Sequence, residues 1–352
     1  MQKEEMTPEE RKRALMSALG KINKEDDFAS ILEEGEEVVP TWMDIESVGF
    51  ARMAGGGLPK GKLIEVAGLP SGGKSVLCSW IAASIQKSGG TVALVDMEKS
   101  FDSRYARNVG LDTKGLVFLS PEIGETALDA VNELIESGAI DLIVIDSIDA
   151  LVSQKEFDED LGKDSMALRA RLVSKWARRA IQLMARTGTT ILAINQLRDT
   201  MSMYGPKTVT SGGKAIEFYS SIRIECRKKE DIKSGQEKVG IRIALKNTKN
   251  KCSTPYRTYE TEMMFKGGFN MAMEMIDAAL EDGVVTMRGT SYYFGDERIA
   301  IGREAAITAV KENAELRKKI YDAEMAFIKE VNAPQNGDAP AQAKKGNATK
   351  KK

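Results

Sequence analysis

The chain has 352 residues, 42% of them apolar, enough for one large core and a smaller satellite domain or two. Formal net charge is −1, so no global field marks a nucleic-acid or membrane partner and any basic surface must be local. Histidine is absent, which excludes Ser-His-Asp and Cys-His catalysis and leaves too few soft ligands for zinc. The chemistry is left to carboxylates, lysines, amides and a bound metal. The three cysteines, Cys78, Cys226 and Cys252, form no Cys-x-x-Cys pair and read as free thiols of a cytoplasmic protein. The longest apolar runs are too short to span a bilayer, and residues 1–27 are too charged for a signal peptide.

In chain order, residues 7–22 read as an amphipathic helix. Thr7 N-caps it, Pro8 suits its first position and Glu10 completes a capping box. Leu15, Ala18, Leu19 and Ile22 form one apolar stripe, which fits packing on its own domain and docking on a neighbouring subunit equally well. From residue 61 strands and helices alternate. Short apolar runs at 63–67, 91–95, 116–119, 142–145 and 190–194 read as central parallel strands buried on both faces, with helices at 75–87 and 126–137 between them. Residues 222–226 and 239–245 flank a polar turn and read as a hairpin extending the sheet. After residue 268, helices at 272–282 and 303–311 flank a strand at 292–294, a small α/β domain. Residues 333–352 carry five lysines against one aspartate and read as a disordered basic tail. The expected division is an N-terminal helix and linker (1–35), an α/β core (36–268), a C-terminal domain (269–331) and the tail (332–352).

Gly68-Leu69-Pro70-Ser71-Gly72-Gly73-Lys74-Ser75 fits G-x-x-x-x-G-K-[ST], and it follows an apolar strand and opens a helix. Glycines there let backbone N–H groups wrap phosphates, and the helix N-terminus adds positive potential. Lys74 reaches the β- and γ-phosphates, and the Ser75 hydroxyl ligates Mg²⁺. The strand at 142–145 ends in Asp146, a carboxylate at the sheet edge where open α/β sheets bind ligands, placed to orient magnesium through water. Two further strands run into Asp96-Met97-Glu98 and Asn195-Gln196. Glu98 is a candidate to orient the attacking water and Gln196 to sense the γ-phosphate; each also fits a solvated strand terminus.

These residues resemble the bacterial RecA recombinases, phage-encoded relatives included. Besides the P-loop, the order and spacing of Asp96-Met97-Glu98, 142–147, Asn195-Gln196-Leu197-Arg198, Gly212-Gly213-Lys214-Ala215 and Lys249-Asn250-Lys251 match that family from about residue 8 to 331. The resemblance implies a RecA-type P-loop ATPase core with a mostly parallel sheet. It also implies helical filaments on single-stranded DNA, pairing and exchange with homologous duplex DNA, and ATP with Mg²⁺ bound between subunits of the homo-oligomer. Glu98 becomes the water-activating base and Asp146 the magnesium-linked aspartate. Asp102 and Tyr105 hold the adenine, Gln196 relays nucleotide state to the DNA loops, and Lys249 and Lys251 reach the neighbour's ATP. Phe218 becomes an interface aromatic. A bacterial member also implies promotion of SOS-repressor self-cleavage and work with recombination mediators.

Two segments resemble the DNA-binding loops, about 156–166 and 197–213. The first is acidic, but it ends at Met166 and the helix after it carries Arg171, Lys175 and Arg178 on one face. That face reads alone as a solvated charged surface. The second loop offers Met201, Met203 and Tyr204 as base-separating side chains, with Arg198, Lys207, Gly212, Gly213 and Lys214 near them, a mixture suited to sequence-independent single-strand binding. The P-loop departs from the family's Gly-Pro-Glu-Ser-Ser-Gly-Lys-Thr at Leu69, Pro70, Gly72 and Ser75, the second loop is one residue shorter, and the tail is basic where many relatives are acidic. A basic tail attracts phosphate rather than competing with DNA, which implies weaker self-inhibition. Other readings are a ring helicase or switch ATPase on the same core, and a DNA-filament protein with weak hydrolysis. The Lys249/Lys251 pair in place of an arginine finger argues against the first, and retention of Glu98 and Gln196 against the second.

Overall fold

A computed structural model describes residues 7–24, 39–158, 166–199, 208–210 and 215–333. The described residues fall into two units, one within 1–40 and the other within 41–352. In the first, α1 (Pro8–Ile22) begins as its sequence dictates. The Thr7 hydroxyl accepts from the Glu10 N–H at 3.3 Å, and the Glu10 carboxylate accepts from the Thr7 N–H at 2.9 Å. None of its residues is buried, and Leu15, Met16 and Ile22 are exposed.

The second unit opens with β1 (Trp42–Met43), α2 (Val48–Ala54) and β2 (Leu58–Pro59), β1 and β2 pairing antiparallel. Next come β3 (Leu63–Gly68), α3 (Lys74–Lys87), β4 (Val92–Asp96), α4 (Ser103–Asn108), β5 (Val117–Leu119), α5 (Gly124–Glu136) and β6 (Leu142–Asp146). A short 3₁₀ turn at Ile148–Ala150 leads to α6 (Gln154–Asp158), α7 (Met166–Thr187), β7 (Thr190–Asp199), β8 (Thr208–Thr210) and α8 (Ala215–Tyr219). The long hairpin of β9 (Ile222–Ser234) and β10 (Glu237–Asn250) is followed by β11 (Thr258–Met264) and β12 (Gly268–Phe269). Last come α9 (Met271–Asp282), β13 (Val285–Arg288), β14 (Ser291–Phe294), β15 (Glu297–Ile301), α10 (Arg303–Glu312) and α11 (Ala314–Val331).

The main sheet runs β12-β11-β10-β9-β3-β7-β6-β4-β5, with β8 paired to β7 outside that order. It is parallel from β9 to β5 and antiparallel from β9 to β12. Its central strands are buried on both faces, as expected. Ile64, Leu94, Val144 and Leu192 join a core that includes Leu77 and Ile81 of α3, while their neighbours Leu63, Ala93, Ile143 and Ile191 join a second core with α5 and α7. The edge strand β5 corrects that expectation: Val117 and Phe118 are exposed, because only β4 flanks it. The β9–β10 hairpin runs longer than its apolar stretches indicate. Cross-strand ion pairs, Arg242 with Glu230 at 2.6 Å and Lys238 with Asp231 at 2.7 Å, extend the ladder through charged sequence. The C-terminal region folds as a three-stranded sheet, β13-β14-β15, where only its middle strand was expected. Its core of α9, α10 and α11 residues includes Val48 and Ala51 of α2.

Candidate nucleotide site and subunit surface

The parallel strands carry their C-terminal ends to one edge, and the polar residues expected at those ends meet there. Gly68 lies beside Gln196, Ala67 beside Asn195, and Asp96 beside Asp146. Between β3 and α3 the loop turns through Ser71 at φ +58° and Gly73 at φ +90°, left-handed positions of the kind that form anion-binding concavities, and the Gly72 N–H closes the turn on the Leu69 carbonyl at 3.2 Å. A Cβ on Gly68 would lie 2.4 Å from the Cys226 carbonyl oxygen, and one on Gly72 3.0 Å from that of Leu69. Pro70 and Ser71 form the loop's outer turn and Leu69 is exposed. The Lys74 side chain is buried and donates to the Leu69 carbonyl at 2.9 Å, folded over the cradle its charge would serve.

Asp146 is held mostly out of water. Burial pushes its carboxyl up to about 6, with the Ser75 hydroxyl pulling the other way and Glu98 and Asp96 adding to the rise. Its Oδ1 is buried and has no hydrogen-bond partner among the described residues. An orphaned carboxylate oxygen next to the Ser75 hydroxyl, at the start of the helix after the P-loop, fits a hard cation held with a phosphate. Among the described residues no three acidic, cysteine or histidine side chains are grouped to cage a metal.

Glu98 is fixed at one oxygen. Its Oε1 accepts from the Ser147 hydroxyl at 2.6 Å and from Gln196 Nε2 at 3.2 Å, so the water-orienting and phosphate-sensing candidates touch. The bend carrying Glu98 is set by neighbours: the Met97 and Glu98 N–H groups donate to the Asp146 carbonyl at 2.7 and 3.2 Å. Asp96 accepts from the N–H groups of Ser100 and Phe101 at 3.2 and 3.1 Å. Ser147 stands within the 142–147 run but received no role from sequence, since a serine after a strand carries no pattern. Asp102 N-caps α4 through the Arg104 and Tyr105 N–H groups, which hold its carboxyl below the usual range. Asp102 and Tyr105 line a cavity of about 280 Å³ with Ser75, Asp96, Phe101 and Asp146, beside the loop as an adenine site requires.

Lys249 and Lys251 are not part of this cluster. Lys249 pairs in register with Arg223, which lies beside Glu65, three residues before Gly68 and so roughly 10 Å back along β3 from the P-loop. There Lys249 Nζ donates to the carbonyls of Glu217 and Phe218 at 2.6 and 3.0 Å, at the end of α8. Burial, then Lys251 and Arg223, hold its ammonium below the usual lysine range. Phe218 is 68% exposed beside it. A ladder of polar contacts, buried at Asn195 and Glu65, links the two regions. The Gln196 N–H donates to Asn195 Oδ1 at 3.0 Å, Asn195 Nδ2 to Glu65 Oε1 at 2.9 Å, and Arg223 binds Glu65 at 2.5 Å and Glu217 at 2.9 Å. Sequence reasoning missed Glu65, because one acid in an apolar strand shows nothing of its partners.

Of the candidate DNA contacts, Arg171, Lys175 and Arg178 are exposed on α7. Arg198 reaches Asp149 at 3.1 Å; Asp149 is also bound by Arg169 at 2.9 Å, so this half-buried carboxylate joins the bases of both loop regions. The side chain of Met166 lies outside the described residues, as do Met201, Met203, Tyr204, Lys207, Gly212, Gly213, Lys214 and the tail from residue 334.

Two family models divide the chain at the same place as its C-terminal core. The RecA N-terminal domain matches residues 13–270 and the RecA C-terminal domain residues 273–328. The chain belongs to the RecA family. Protein RecA of Lactobacillus johnsonii is 36% identical over 347 residues, covering 96% of both chains. Protein RecA of Deinococcus radiodurans is 35% identical over 340 residues, 94% of this chain and 92% of that one. That of Frankia casuarinae is 36% identical over 315 residues, 88% and 91%. As a member of that family, the chain is a DNA recombinase. No helix among the described residues is long and apolar enough to cross a membrane.

Proposed function

We propose that this RecA-family protein binds ATP with Mg²⁺ between subunits of a helical filament on single-stranded DNA. It pairs that strand with homologous duplex DNA and releases it on hydrolysis. One observation carries the reading: Glu98 Oε1 is shared between Ser147 and Gln196, at the edge where the P-loop and Asp146 also end. Lys74 and backbone N–H groups of the loop would hold phosphate oxygens, and the Ser75 hydroxyl and Asp146 would hold the cation. Bound magnesium neutralises phosphate charge and lowers the cost of negative charge on the leaving oxygen. Glu98, with Oε1 engaged by two donors, has Oε2 for the proton of the attacking water. Gln196 lies on the same strand as Arg198, so its side chain connects the nucleotide edge to the start of the second DNA loop.

Lys249 and Lys251, set back from their own P-loop, serve the site of the next subunit. Phe218 and the α1 stripe supply apolar contact between subunits. Arg171, Lys175, Arg178 and Arg198 offer phosphate contacts near the strand. The domain division of helix, core, C-terminal domain and tail belongs to this reading, as do the cytoplasmic location and the roles with an SOS repressor and recombination mediators.

ATPase turnover measured with and without single-stranded DNA, alongside electron microscopy of the complexes, tests the proposal. Turnover that rises with DNA, together with helical filaments, is the expected result. Rings, or turnover indifferent to DNA, would overturn it.

A further inference from the structure

We infer that Cys226 is a positioning residue of the phosphate loop. Its thiol, on the strand beside β3, pins the peptide between Gly72 and Gly73 so that the loop's N–H groups face the phosphates. The inference rests on the reading of this loop as the ATP site. Cys226 is fully buried and lies one residue past Glu225, where the pairing of β9 with β3 ends. Its Sγ donates to the Gly72 carbonyl at 3.0 Å. In a trans peptide C=O and N–H point in opposite directions, so a carbonyl drawn toward β9 turns the Gly73 N–H away from β9, to the loop's open side.

Packing supports the same role. The loop lies against the backbone of residue 226: a Cβ on Gly72 would come 3.3 Å from the Cys226 carbonyl oxygen and 3.0 Å from that of Leu69. The serine that the family's usual loop carries at this position therefore has no room unless backbone shifts. In this chain the loop gives up that side chain and takes a donor from the neighbouring strand instead. Burial pushes the Cys226 thiol up to about 12, so it stays protonated, and a donor, at any pH the folded protein meets. The contact is also internal to β9 and the loop, so it acts on binding geometry before any chemistry.

The test measures affinity for Mg²⁺ with ATPγS, turnover at saturating ATP, and melting temperature. The variants are Cys226→Val and Cys226→Ala, which remove the donor at larger and smaller volume, and Cys226→Ser, which keeps it. Both donor-free variants are expected to bind about three- to tenfold more weakly, the worth of one modest hydrogen bond. Saturated turnover should stay within about twofold, and the serine variant should match the parent in affinity. A donor-free variant that binds like the parent overturns the inference. So does a serine variant as weak as alanine, since the hydrogen bond would then not be what matters. Failure of the parent itself to bind ATPγS would instead sink the reading of the site.

Discussion

Glu98 has two donors on one oxygen, Ser147 at 2.6 Å and Gln196 at 3.2 Å, and this asymmetry gives the carboxylate a defined free face. Glu98→Gln keeps the shape but cannot take a proton. Turnover should fall by about 10²–10⁴-fold, the range for losing a general base, while affinity for Mg²⁺ with ATPγS changes by only a few-fold. Single-turnover kinetics and equilibrium binding measured on the same preparation check this. Glu98 was legible in the sequence because it follows a strand in an α/β sheet, where position along the chain predicts position at the edge. Ser147 and Glu65 were not. Their importance lies in hydrogen bonds to residues 49 and 130 positions away, and no local pattern encodes such partners.

Among the elements, α2, β11 and α9 meet at Glu274. This buried carboxyl accepts from the Ser47 hydroxyl at 2.5 Å, from the Gly49 N–H at 3.3 Å and from the Tyr259 hydroxyl. Burial pushes it up to about 7 from an ordinary 4.5, against the pull of those hydrogen bonds. The folded chain therefore binds this proton more tightly than the unfolded chain. The resulting stability is fully present below about pH 4.5 and is lost as pH rises through about 7. Urea unfolding at pH 5.5 and pH 8 should show the parent losing on the order of 1–2 kcal/mol more than Glu274→Gln, whose amide does not titrate. Equal losses would mean that Glu274 ionises without cost. The parallel strands β3, β4, β6 and β7 were legible as apolar runs buried on both faces. The outer half of the β9–β10 hairpin was not, because its ladder is held by ion pairs that read along the chain as solvated charge. The edge strand β5 misled for the opposite reason: apolar composition reports a strand, and only its place in the strand order reports exposure.

For the whole molecule, the nucleotide edge and the lysine pair lie at different levels of one sheet, joined by the ladder through Asn195, Glu65 and Arg223. On the proposed reading, each chain carries one part of an ATP site at each of two surfaces, and a closed site needs two chains. Mixing two inactive variants tests this most directly. Glu98→Gln removes the base but keeps Lys249; Lys249→Met keeps the base but removes the lysine. Where a Glu98→Gln chain offers Lys249 to a Lys249→Met chain, one intact site forms. On single-stranded DNA the mixture should therefore recover ATPase activity that neither variant shows alone, rising to a maximum near equal proportions. A mixture no more active than its components summed, at every ratio, would contradict an ATP site shared between subunits.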